Sequence, residues 1–192
     1  IPREDMEKLR RATINQEVMR ETFKRTRHDV TAFLRSVTVG LGPEGRWIHL
    51  GLTSNDIWDT ATNMQLIEAA DILLEDVGLL REALKEKALK YKLTPQMGRT
   101  HGVHAEPITF GLKMALWYDE MGRQRERLLQ ARKGMAVGKI SGAVGTHATV
   151  PPSVEARVCA HLGLDVAPVS NQVVQRDRHA HFVTTLALIA AS

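Results

Sequence analysis

The stretch GRTHGVHAEP, Gly98 to Pro107, places His101 and His104 three residues apart, with Glu106 two further on. Three chemistries suit such a trio: a metal site, a pair of packed anchors, or one proton carrier with a structural neighbour. Zinc sites of the H-x-x-x-H kind set two imidazoles on one helix face. Here Gly102 separates the histidines and Pro107 follows, so the pair lies in the approach to a helix that Pro107 opens. Extended backbone would turn positions 101 and 104 to opposite sides. No cysteine pair or acidic cluster completes a ligand set, and the segment is read without a metal. His104 leads straight into the helix and reads as a hydrogen-bonded anchor. His101 is flanked by Arg99, Thr100 and Gly102. The glycine lets a ligand approach the backbone, while Arg and Thr can orient an anion. An imidazole is the usual proton carrier near neutral pH.

Three more segments combine titratable residues with a helix boundary: TRHDV (Thr26–Val30), IHLGLTSND (Ile48–Asp56) and SNQVVQRDRH (Ser170–His179). Thr53 or Ser54 caps the longest helix, and the same hydroxyls with free backbone N–H groups can hold a carboxylate or phosphate. His49 precedes Thr53 by four residues, at the mouth of such a site. Asp29 suits the first turn of a helix, with Arg27 and His28 beside it to serve an anionic substrate. Gln172 is the candidate for reading a ligand, whereas Arg176, Asp177 and Arg178 read as solvated or paired.

The elements that must position these residues are helical almost throughout. An amphipathic pattern covers residues 3–24, and HDVTAFLRSV gives a shorter helix ended by the loop GLGPEG. From Ser54 to about Lys92 there is no proline and one glycine. Leu66, Ala70, Leu73, Val77, Leu80, Leu84 and Ala88 recur there at steps of mostly three and four. At 1.5 Å per residue that helix runs roughly 55–60 Å, the length of a bundle member. A second helix with a stripe of Phe110, Met114, Trp117 and Met121 runs to about Lys133. AVGKISGAVG looks like a hairpin, Pro152 and Ser153 open a short helix to His161, and a third long helix starts near Arg176.

The bulk numbers agree with that picture. The 192 residues are 43% hydrophobic and 25% charged, with a net charge of +4 that suits a small anionic substrate. The basic run GRQRERLLQARK has Glu126 interleaved and no aromatic stacking partners, so it reads as a solvated face and not as a nucleic-acid surface. The lone Cys159 lies on a helix face and reads as a buried thiol in a reducing, cytoplasmic setting. No apolar run is long enough to cross a bilayer. The chain begins with Ile and stops while a helical pattern is still running, so it is expected to be a piece of a longer protein.

Taken together, TRHDVTAF, HLGLTSNDIWDTA, MGRTHGVHAEPITFGLK, GKISGAVGTHA and VSNQVVQRDRH resemble the adenylosuccinate lyases of the fumarase/aspartase superfamily. The blocks run in the family's order across nearly the whole chain. RTHGVHAEPITFG with QVVQRDRH is the most specific pairing. The resemblance implies an all-α fold: residues 1–53 as the remainder of an N-terminal helical domain, residues 54–192 as the first part of a central long-helix bundle. It implies an anti β-elimination that releases fumarate from adenylosuccinate and from the succinyl-carboxamide ribotide, without a cofactor, in a homotetramer. His101 then matches the general acid, and His28 a second active-site histidine that binds substrate and assists it. Arg27, Asp29, His49, Thr53, Ser54, Thr100 and Gln172 match or flank the substrate contacts. The family's base, a serine in a G-S-S-x-M-P-x-K loop, has no counterpart among these residues, nor does its N-terminal Arg-Tyr pair. The 192 residues alone are therefore expected to turn over little or nothing. Argininosuccinate lyase, the muconate-cycloisomerising branch, or a helical oligomerisation module remain the alternatives.

Overall fold

The computed structural model describes residues 1–192. It contains seven α-helices: α1 Arg3–Leu9, α2 Gln16–Thr26, α3 Asp29–Thr38, α4 Ser54–Lys90, α5 Phe110–Met135, α6 Pro152–His161 and α7 Asp177–Ala190. A 3-10 turn spans Pro43–Trp47. Strands β1 (Pro95–Thr100) and β2 (Val103–Thr109) form an antiparallel hairpin, while β3 (Val137–Gly138) and β4 (Asp165–Val166) make a short parallel pair. No helix is long and apolar enough to cross a membrane.

The 37-residue α4 is the axis on which the rest is laid. Its seam packs as the spacing predicts. Ala70, Val77 and Leu84 are buried at steps of seven, and Leu66, Leu73 and Ala88 pack beside them. Leu80 departs from the pattern and is exposed. Ala70 joins Leu128, Ala131 and Met135 of α5 and Phe182 of α7 in one apolar cluster. Val77 and Leu84 meet Met114 and Met121 of α5 in a second. Tyr91 and Phe110 close the far end edge-to-face, with ring centroids 5.3 Å apart.

Four expectations need correction. The helix over residues 3–24 is two helices, because Asn15 caps α2 by accepting the Val18 N–H at 3.1 Å and ends the α1 segment before it. Pro107 does not open a helix. It lies in β2 opposite Met97, and Thr109 caps α5 instead. The hairpin sits at residues 95–109 rather than in AVGKISGAVG, whose Val137 and Gly138 pair in parallel with Asp165 and Val166. His104 is no anchor: it is exposed on β2 opposite Arg99 and makes no side-chain hydrogen bond.

Cys159 is buried, as its helix face implies, and burial with the nearby Glu155 carboxylate pushes its thiol up. Leu128 is fully buried where α4 and α5 meet. Replacing it with alanine should cost about 2–5 kcal/mol, measured as a shift of the urea midpoint at unchanged m-value.

Candidate active site

The first three turns of α4 carry buried polar residues where the rest of the helix carries aliphatic ones. Thr53 is the N-cap, and its backbone N–H donates to the Asp56 carboxylate at 2.9 Å. Asp56 also accepts from the Lys139 ammonium and from the Gly142 N–H. Both side chains of the Asp56–Lys139 pair are wholly out of water. Lys139 uses a further N–H on the Gly142 carbonyl at 2.9 Å. The Thr60 hydroxyl exchanges hydrogen bonds with the Lys139 backbone, and the Asn63 amide donates to the Val137 carbonyl at 2.7 Å. Residues 137–142 are thus sewn onto α4 by side chains.

Asp59, one turn on, fixes a second segment. It accepts from the Val174 N–H at 2.7 Å, from Arg176 at 3.0 Å and from the Asn55 amide at 3.2 Å. The same segment is held from the other side, where the Ser141 and Ser170 hydroxyls lie 2.7 Å apart. Gly145 must be glycine there: its φ is +80°, and an added Cβ would meet the Ser170 carbonyl at 2.0 Å.

Between α3, α4 and the 170s segment lies an open cavity of about 470 Å³. His28, Asp29, Ser54 and Gln172 all line it, as do Asn55, Trp58, Asp59, Thr62 and Arg176. His28 caps α3, its Nδ1 accepting the Thr31 N–H at 3.2 Å. That bond uses Nδ1 as an acceptor and leaves Nε2–H as a donor for a ligand. Ser54 opens α4 beside its free N–H groups, and Arg176 supplies positive charge at half exposure.

The other candidates stand outside the cavity wall. Arg27 is the left-handed C-cap of α2, at φ +53°. His49 has φ +64°, and its Nε2 is buried without a partner. Thr53 faces inward as the cap. Thr100 and His101 are exposed at the tip of the hairpin. His101 and Gly102 form the two-residue turn, with φ values of +51° and +77°. Such a turn favours Asn-Gly, so histidine occupies a position that local geometry would give to another residue.

The hairpin roots at the far end of α4, where the Phe110 and Gly111 N–H groups donate to the Thr94 and Tyr91 carbonyls. Ser54 lies about 55 Å away along the helix. Six residues of strand reach back about 20 Å. Within one chain, His101 therefore stays roughly 30 Å or more from the Ser54 and His28 cavity by these rises.

Residues 8–192 match a family described as Lyase. The chain belongs to the lyase family. It is 55% identical over its whole length to the adenylosuccinate lyases of Staphylococcus saprophyticus and of Bacillus subtilis, and spans 45% of each. A fumarate lyase of a Mesorhizobium species superposes with a TM-score of 0.90 at 28% identity, over all of this chain and 47% of that one. The 3-carboxy-cis,cis-muconate lactonizing enzyme of Pseudomonas putida gives 0.81 at 31% identity, over 92% of this chain and 41% of that one. The long-helix bundle read from the sequence is the fold of these lyases.

Reading by motif missed Asp56, Asp59, Trp58 and Lys139 in this lyase chain. An available signal was the run of Asp56, Asp59, Thr60 and Asn63 on the side of α4 that continues into the aliphatic seam. Burial raises the Asp59 carboxyl, but Arg176, the Val174 N–H and Asn55 outweigh it and hold the group below the ordinary aspartate value. Burial, aided by the positive charge of Arg176, lowers His179 below 6.5, against the weaker pull of Asp59, the Gln175 backbone and Asp177.

Both shifts favour the native state on the alkaline side. The Asp59 contribution is present above about pH 3.9 and lost as pH falls through the depressed folded value. For His179 the unfolded chain binds a proton that the native state resists, so stability falls as pH drops below 6.5 toward the folded value. His179→Gln should flatten the melting-temperature profile just below pH 6.5, and Asp59→Asn should flatten it at the acid end. Breaking the buried pair as Lys139→Met should cost about 3–5 kcal/mol, and Lys139→Met with Asp56→Leu clearly less than the sum of the single changes. Denaturant titration of the four proteins of that cycle reads both.

Proposed function

We propose that the protein carrying this chain eliminates fumarate from adenylosuccinate, and from the succinyl-carboxamide ribotide, in purine biosynthesis. The observation that carries the reading is the gathering of His28, Asp29, Ser54 and Gln172 around one cavity, in a chain 55% identical throughout to adenylosuccinate lyases. Ser54, with Thr53 holding the helix start, binds a carboxylate at the N-terminus of α4. His28 donates from Nε2, Asp29 and Gln172 orient the substrate, and Arg27, His49 and Thr100 complete the contacts. His101 donates the proton to the departing nitrogen, a step that asks for a group near neutral pKa.

The separation within one chain bears on assembly. The reading requires that the His101 hairpin of one copy enters the cavity of another, in a homotetramer. The Cβ proton is taken by a base outside these residues, so the 192-residue chain by itself should show no turnover. A normal rate from it would refute that part of the reading.

His101→Asn isolates the acid. Asparagine suits the left-handed turn at least as well as histidine, so the hairpin and the melting temperature should be kept. In the full-length protein kcat should fall roughly 10²–10⁴-fold. Activity within twofold of the parent, by loss of adenylosuccinate absorbance, would remove His101 from the chemistry. A parallel fall in stability and activity would favour the packed-anchor alternative.

A further inference from the structure

We propose that Trp58 is the base-stacking wall of the cavity, holding the purine ring of the nucleotide; this rests on the reading above. Its neighbours in the cavity are polar: the other eight lining residues are all hydrogen-bonding or charged, and Trp58 is the single apolar surface among them. It is 47% exposed, and its indole makes no hydrogen bond. An indole left in water beside polar groups forfeits burial that a flat ligand would restore.

Position in the helix ties it to the site. Ser54 and Trp58 are four residues apart on α4, so they share one face, one turn from each other. His28 and Asp29 stand on one side of the same cavity and Gln172 and Arg176 on another. The helix N-terminus is a partner for the anionic parts of the substrate. The Arg176 guanidinium is already engaged by Asp59 at 3.0 Å, so neither is left as a surface for an uncharged aromatic ring. Trp58 is. A volume of about 470 Å³ falls in the range that accepts a small organic ligand. Stacking on tryptophan tolerates different rings, so the same wall would take a purine or the smaller imidazole of the ribotide.

The test uses the full-length protein. Stacking that is equal in ground and transition states raises KM and leaves kcat alone. Trp58→Ala should therefore raise KM for adenylosuccinate roughly tenfold, with kcat within about twofold, and Trp58→Phe should restore most of the loss. A second readout is independent of turnover. With Trp47, Trp117 and every tryptophan of the full-length protein outside these 192 residues replaced by phenylalanine, Trp58 alone emits. AMP should quench its emission saturably, while fumarate alone should not. Turnover without quenching overturns the stacking and leaves the lyase reading standing. Quenching without turnover supports the stacking and overturns the reaction. Neither signal overturns both. A Trp58 already shielded from acrylamide in the free protein would mean that other residues of the protein cover it, which also overturns the proposal.

Discussion

The structure depends on a carboxylate buried at the start of its longest helix. Asp56 has no access to water, and it shares that environment with Lys139. Two charges desolvated together are tolerated only when each is saturated with partners. Here the Thr53 and Gly142 N–H groups complete Asp56, and the Gly142 carbonyl accepts a hydrogen bond from a further N–H of Lys139. The arrangement is demanding, and its return is positional. It fixes the cap of α4 and the 137–142 segment in one unit. Asp59 extends the unit to the 170s segment through Val174 and Arg176. The candidate ligand groups then hang from a frame that cannot shift piecemeal. Ser54 and Gln172, 118 positions apart in sequence, face one cavity for that reason.

The helix that fixes one half of the candidate site also exiles the other. Its apolar seam packs against α5 in two clusters, one at Ala70 and one at Val77 and Leu84, along the length of α4. The hairpin bearing His101 is rooted at the opposite end, exposed, with a histidine in a left-handed turn. A residue kept in a conformation that asparagine or glycine would take more easily invites a functional explanation. The proposed lyase supplies one: the tip would serve the cavity of a neighbouring copy.

How much of this was legible beforehand follows from what each signal measures. The seam of α4 and the short helix α6 follow from hydrophobic period and a proline-serine start, both local properties. The hairpin escaped because its turn is His-Gly and not Asn-Gly, and because Pro107 imitates a helix opening. The break at Asn15 escaped because an amphipathic pattern continues across it. His28, Asp29, Ser54 and Gln172 were found as motif residues. The buried Asp56, Asp59 and Lys139 were not, because their partners lie 83 and 115 positions away. No local pattern announces which charges a fold will bury against each other.

The central claim is that the acid of one copy serves the cavity of another. The direct measurement uses His28→Ala and His101→Asn versions of the full-length protein, each expected to be strongly impaired alone, dissociated and reassembled as a mixture. Some cavities in mixed assemblies would then combine an intact His28 with an intact His101. The account predicts that adenylosuccinate cleavage returns in the mixture at a sizeable fraction of the parent treated in the same way. If the mixture stays as inactive as either variant while the parent recovers, both histidines must come from one chain, and the account is wrong.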